Sequence, residues 1–122
     1  MGKKILVVDD EPKIVHLLSQ RLKANGYETF AANDTYQCIK MTREIKPDLI
    51  LLDMKMPAGG GIKAFENLKA SIYTSSIPII FITAYPGDEV KNQVKELGAD
   101  GFFAKPFNSK DLLQKIEEVI GE

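Results

Sequence analysis

The chain alternates two hydrophobic patterns. Ile5-Leu6-Val7-Val8 after Lys4, Leu49-Ile50-Leu51-Leu52 and Ile79-Ile80-Phe81-Ile82 are unbroken apolar runs. Such runs suit strands of a parallel sheet covered on both faces, because neither side of the strand meets water. Tyr27–Ala32 alternates and reads as an outer strand, and Gly101–Ala104 is a short last one. Between these runs the apolar residues recur at helical spacing. Pro12 opens the first helix, along which Ile14, Leu17, Leu18, Arg21 and Leu22 follow before Asn25-Gly26 ends it. Asn33-Asp34-Thr35 offers caps to a second helix with Cys38, Met41, Thr42 and Ile45 inward, and Pro47 stops it. After Gly59-Gly60-Gly61, the positions Ile62, Phe65, Leu68 and Lys69 predict a third helix. Asp88 opens a fourth with Val90, Val94 and Leu97 inward and Gly98 as its cap. Asn108 caps a fifth, which buries Leu112, Leu113, Ile116 and Ile120. A repeated strand–helix unit with right-handed crossovers predicts an α/β fold: a doubly wound parallel sheet with helices on both faces.

The strands share a second feature: most end in a polar residue. Asp9 and Asp10 follow the first, Asp53 ends the central one, Thr83 the fourth and Lys105 the fifth. In a parallel sheet these ends lie along one edge, where ligands of open α/β sheets bind. Carboxylates gathered there repel: at ~5 Å and an effective dielectric of ~20 each like pair costs roughly 3 kcal/mol. A bound cation relieves that cost. Oxygen donors without His or Cys favour Mg²⁺ or Mn²⁺ over zinc. Such a metal, with the Lys105 ammonium and the Thr83 hydroxyl, makes a site shaped for a phosphoryl group, and a carboxylate there can attack phosphorus.

Composition narrows the alternatives. At 122 residues, with 44% hydrophobic and 27% charged residues, the chain has the length and balance of one soluble domain. A net charge of −1 argues against a surface built for nucleic acid. The lone Cys38 permits no internal disulfide, and no apolar run approaches the roughly 20 residues of a membrane span. A cytoplasmic location is the resulting expectation. The loop after the first strand is acidic rather than glycine-rich, which removes P-loop, dinucleotide and flavin readings. A haloacid-dehalogenase-type phosphatase would have a second Asp two residues beyond its nucleophile, where this chain has Lys55.

Taken together, Val7-Val8-Asp9-Asp10-Glu11, Leu51-Leu52-Asp53-Met54-Lys55-Met56-Pro57, Ile82-Thr83-Ala84 and Gly101-Phe102-Phe103-Ala104-Lys105-Pro106-Phe107 resemble the receiver domain of two-component response regulators, the CheY-like family. The resemblance spans essentially the whole chain. It implies a flavodoxin-like (βα)5 sheet in the order 2-1-3-4-5, and a phosphorylation-dependent switch rather than a metabolic enzyme. Asp53 matches the phospho-acceptor. Asp10 and Asp53 match the Mg²⁺ carboxylates, Asp9 acts mainly through bound water, and the Lys55 backbone carbonyl is the remaining protein ligand. Thr83 and Lys105 match the hydroxyl and the ammonium that meet the phosphoryl group. Phe102 matches the aromatic switch, though it lacks a hydroxyl, and the peptide before Pro106 is expected to be cis. Lys55 and Tyr85 occupy positions that tune the lifetime of the acyl phosphate. The implied partners are a sensor histidine kinase or histidine phosphotransfer domain, and a downstream output domain or protein contacted through residues 88–120. A monomer or weak phosphorylation-linked dimer is expected, either as a stand-alone regulator or as part of a longer protein. His16 reads as a solvated helix residue, and Cys38 as a small core residue. The competing reading is a binding module of the same fold that ignores phosphorylation.

Overall fold

The computed structural model describes residues 2–55, 60–84, 87–105 and 108–121. The elements alternate as β1 (Lys4–Val8), α1 (Pro12–Ala24), β2 (Glu28–Ala32), α2 (Thr35–Ile45), β3 (Leu49–Asp53), α3 (Gly60–Lys69), β4 (Ile79–Thr83), α4 (Asp88–Leu97), β5 (Gly101–Ala104) and α5 (Ser109–Ile120). All pairings are parallel, and the sheet order is β2-β1-β3-β4-β5. This is the fold that the apolar runs and the family resemblance imply.

The three runs without polar breaks are the three inner strands. Their side chains alternate between two cores. Leu6, Val8, Ile50, Leu52, Ile79 and Phe81 join Cys38, Phe65, Leu68 and Val94 of α2, α3 and α4. Ile5, Val7, Leu49, Leu51, Ile80 and Ile82 join Leu18, Leu22, Leu112 and Ile116 of α1 and α5. No helix among the described residues is long and apolar enough to cross a membrane.

Local chemistry sets the helix ends. Pro12 sits in the first turn of α1, where its missing N–H costs nothing. The Asp34 carboxylate accepts the Gln37 N–H at 2.7 Å, and the Asn108 side-chain Oδ1 accepts the Lys110 N–H at 2.8 Å. Gly98 closes α4 at φ 77°, a conformation that favours glycine.

The helical spacing of α1 resolves into an inner and an outer face, and one expectation changes, for α3. In α1 the inward line is Ile14, Leu18 and Leu22 at four-residue spacing, whereas Leu17 is 46% exposed and Arg21 faces solvent. Leu17 and Arg21 lie one step of ~100° around the helix from that line, which is enough to leave the core. In α3 the helix begins at Gly60, so two of the glycines expected to precede it form its first turn. The reason is tertiary: a Cβ on Gly61 would collide with the Asp53 carbonyl oxygen and lie 2.9 Å from the Met54 Cα. Glycine is there because a helix start is pressed against the end of β3.

Candidate phosphoryl-acceptor site

Strand alternation brings the acids together. Asp9 continues the parity of Ile5 and Val7, and Asp53 that of Leu49 and Leu51, so both leave the sheet on the α1–α5 side. Asp53 pairs with Ile82, and Met54 N–H donates to the Ile82 carbonyl at 3.0 Å. Thr83, the next residue of β4, therefore stands beside the end of β3. Thr83 in turn pairs with Ala104, and its carbonyl accepts the Lys105 N–H. The register thus places an acid, a hydroxyl and an amine on three adjacent strand ends.

Asp9, Asp10 and Asp53 each offer a carboxylate oxygen, and these lie within 4.8 Å of one another. Asp9 and Asp53 are buried, at 1% and 4% exposure, while Asp10 is open to solvent. Lys105 Nζ lies 2.7 Å from Asp9 Oδ2, 3.3 Å from Glu11 Oε1 and 3.8 Å from Asp53 Oδ1. The other Asp9 oxygen accepts the Glu11 N–H at 2.9 Å. Both oxygens of Asp9 are therefore engaged by the protein. Asp53 Oδ1 accepts the Lys55 N–H in a longer bond of 3.3 Å.

These surroundings shift the charges. Burial pushes the Asp53 carboxyl up to about 6, and the Asp9 charge pushes the same way, with a smaller push from Asp10; the Lys105 charge and the Lys55 N–H pull back. Burial works against the Lys105 ammonium, but the Asp9 hydrogen bond and charge, the Asp53 charge and Glu11 outweigh it and hold Lys105 above its ordinary value. The cluster can hold a divalent cation. Octahedral Mg²⁺ at 2.0–2.1 Å sets neighbouring ligand oxygens about 3 Å apart and opposite ones about 4 Å apart, so oxygens spread over as much as 4.8 Å draw inward to share it. The donors are all oxygen, as a hard cation requires. Lys105 already supplies one positive charge to this cluster, so part of the repulsion expected from the sequence is met by the chain itself.

Asp9, Asp10, Asp53, Lys55, Thr83 and Lys105 lie at this edge, whereas Phe102 lies two residues before the end of β5. Thr83 is buried at the end of β4, and exposed Lys55 follows Asp53 by two residues. Phe102 is half-buried on β5, opposite Phe81, and lines a cavity of about 520 Å³ against Val94, Lys95 and Ala99. Tyr85, Met56 and Pro106 with its expected cis peptide lie outside the described residues. His16 is exposed, as expected, and Cys38 is fully buried. Two participants were not singled out from the sequence. Glu11 reaches Lys105, yet in the sequence it was one more acid in a run of three. Gly61 packs on the Asp53 peptide, and nothing in a three-glycine stretch marks which one makes the contact.

Residues 5–117 match the response regulator receiver domain. The chain belongs to that family. The receiver is 39% identical over 120 residues to the phosphate regulon transcriptional regulatory protein PhoB of Pseudomonas aeruginosa, a match covering 98% of this chain and 52% of PhoB. It is 36% identical to sporulation initiation phosphotransferase F of Bacillus subtilis, covering 98% of this chain and 95% of that protein. It therefore spans about half the length of the first curated relatives it matches, but nearly all of others. Among solved structures, the chemotaxis protein CheY4 of Vibrio cholerae superposes with a TM-score of 0.90 at 29% identity, covering 98% of this receiver and 99% of CheY4. Receivers of two-component systems serve phosphorylation signalling and are not classical enzymes.

Proposed function

We propose that this receiver accepts a phosphoryl group on Asp53 from a phosphohistidine of a sensor kinase or phosphotransfer domain, and that it signals through residues 88–120. The observation that carries the reading is the buried Asp53 carboxylate, set within 4.8 Å of the Asp9 and Asp10 oxygens and 3.8 Å from the Lys105 ammonium. An Asp53 oxygen attacks phosphorus, the P–N bond to the donor imidazole breaks, and the imidazole leaves with a proton. Asp10, Asp53 and the Lys55 carbonyl would hold Mg²⁺ (or Mn²⁺), with Asp9 assisting through water. Bound there, the metal offsets negative charge on the phosphoryl oxygens.

This chain's residues then divide the work. Lys105 moves from Asp9 to the phosphoryl oxygens, a short reach because it already stands near Asp53. Thr83 donates to another oxygen, and the space it leaves lets Phe102 turn inward, so a local charge event biases a two-state packing. A coupling of ~1–3 kcal/mol between acceptor and output face changes partner affinity about 5- to 150-fold. The chain catalyses only its own phosphorylation and dephosphorylation, in the cytoplasm, as a monomer or weak dimer. Tyr85 screens the acyl phosphate from water; an unchanged dephosphorylation rate in Tyr85→Ala overturns that role.

The test is intact-mass spectrometry after treatment with acetyl phosphate. The expected result is a gain of one phosphoryl group that requires Mg²⁺ and is absent in Asp53→Asn. No gain in the unaltered protein overturns the reading and favours a phosphorylation-independent binding module.

A further inference from the structure

Two loops carry the proposed metal ligands, one after β1 and one after β3. The β2–α2 corner touches both. On one side, the Asp9 N–H donates to the Ala32 carbonyl at 3.1 Å. On the other, the Thr35 hydroxyl donates to the Gly60 carbonyl at 3.1 Å, twenty-five residues away in sequence. The corner itself is braced: Asn33 N–H donates to Gln37 Oε1 at 3.0 Å, and Asp34 caps the helix.

Gly60 is the far end of the connection that starts at Asp53. The near end is pinned by Met54, whose N–H donates to Ile82 and whose carbonyl accepts the Gly61 N–H at 3.0 Å. Gly60 adopts φ 77° with its Cβ position 3.0 Å from the Met54 carbonyl oxygen, and Gly61 has no room for a Cβ against Asp53. Gly60 and Gly61 therefore press directly on the peptides of Asp53 and Met54, next to which the Lys55 peptide follows. Thr35 is 5% exposed, and its branched side chain has few rotamers to choose from. Its hydroxyl ties Gly60 to the start of α2, and the Ala32 carbonyl ties the same corner to the Asp9 backbone.

We propose that Thr35 is a positioning residue for the acceptor site: the β2–α2 corner acts as a strut that sets the spacing between the Asp9–Asp10 loop and the Lys55 peptide. The Thr35 hydroxyl serves neither as the α2 cap nor as a site ligand. Its role is to orient groups that are ligands, as outer hydrogen bonds do in metal sites. This inference rests on the proposed Mg²⁺-dependent phosphorylation, and its test keeps the two apart.

The comparison is unaltered protein, Thr35→Val, Thr35→Ala and Thr35→Ser, with Asp53→Asn as the control for phosphorylation itself. Mg²⁺ is titrated by calorimetry, and acetyl phosphate incorporation is followed against Mg²⁺ concentration. Amide hydrogen exchange is measured without metal. Thr35→Val should weaken Mg²⁺ binding and raise the half-saturating Mg²⁺ for phosphorylation by about 3- to 10-fold, with the rate at saturating Mg²⁺ within about 2-fold. Exchange at Gly61 and Lys55 should accelerate, and Thr35→Ser should restore all three readouts. Thr35→Ala serves if the valine packs badly. In the unaltered protein the Tyr36 amide should respond to Mg²⁺ with the same midpoint as Lys55. Unaltered Mg²⁺ affinity and exchange in a folded Thr35→Val or Thr35→Ala chain, or a silent Tyr36 amide, overturns the strut. Failure of the unaltered protein to take up phosphoryl overturns the proposed function instead.

Discussion

Lys105 is hydrogen-bonded to Asp9, at 2.7 Å, and stands 3.8 Å from Asp53, the residue it is expected to serve. The amine is thus a counter-ion for the acidic cluster, and the proposed function adds phosphoryl oxygens to its partners. A metal cation bound at this cluster would compete with Lys105 for the same carboxylates. Replacing Lys105 by methionine keeps most of the stem but leaves buried Asp9 with the Glu11 N–H and no ammonium on its other oxygen. In EDTA this should cost about 2–4 kcal/mol of stability by urea unfolding. Mg²⁺ should bind several-fold tighter to the variant and recover most of that loss, while phosphoryl incorporation falls at least tenfold. Weaker Mg²⁺ binding in Lys105→Met would contradict the competition.

The raised Asp53 carboxyl makes stability depend on pH in a defined direction. Its value moves from an ordinary 3.8 to about 6 on folding. Between those values the folded chain binds the extra proton, so stability falls as pH rises through the window and the penalty is complete above about 6. A shift of this size corresponds to at most about 3 kcal/mol. Asp53→Asn removes the ionised form. Without divalent metal it should therefore exceed the unaltered protein in stability by about 1–3 kcal/mol at pH 8, and the gap should close below about pH 4. Parallel urea titrations across pH measure this, and an Asn variant that is less stable at pH 8 contradicts it.

The same shift sets the pH dependence of metal binding. Mg²⁺ takes the carboxylate form, so protons compete with it. With Asp53 near 6, about a tenth of it is ionised at pH 5 and most of it at pH 7. Calorimetric Mg²⁺ affinity should therefore fall about tenfold from pH 7 to pH 5. A flat profile over that range would place Asp53 outside the binding set.

Gly61 makes a sharp steric prediction. An alanine there would drive its methyl into the Asp53 carbonyl. The helix start or the strand end must move, and the Asp53 peptide moves with it. Gly61→Ala should lose about 1–3 kcal/mol of stability, the range typical of overpacking. Its phosphoryl incorporation should drop by more than tenfold even where the fold survives. Gly87→Ala, where nothing lies within 4 Å of the added carbon, is the matching control and should change neither.

Cys38 tests the core rather than the site. Burial pushes its thiol up to about 12, the Thr42 hydrogen bond pulls back a little, and Asp34 adds to the rise. At pH 8 the thiolate population is of order one in ten thousand, and the sulfur is enclosed. A disulfide reagent should modify the folded chain about a thousandfold more slowly than the urea-unfolded chain, with the folded rate following unfolding. Rapid native labelling would mean that α2 opens locally.

The sequence by itself determined the elements, the capping residues and the chemistry gathered at the strand ends. Unbroken apolar runs can be buried only between two helical layers, and Pro12, Asp34, Gly98 and Asn108 act on backbone groups within a few residues of themselves. Parallel strands then carry Asp9, Asp53, Thr83 and Lys105 to one edge whatever the details of the loops. The tertiary structure alone decided the pairings across that edge: Lys105 with Asp9 and Glu11, Thr35 with Gly60, and Gly61 against Asp53, with Leu17 left outside the core. Periodicity assigns a residue to a face. Which of three neighbouring acids an amine meets, or which of three glycines a strand end presses on, turns on fractions of an ångström set by loop closure and burial, and those depend on residues far apart in the chain.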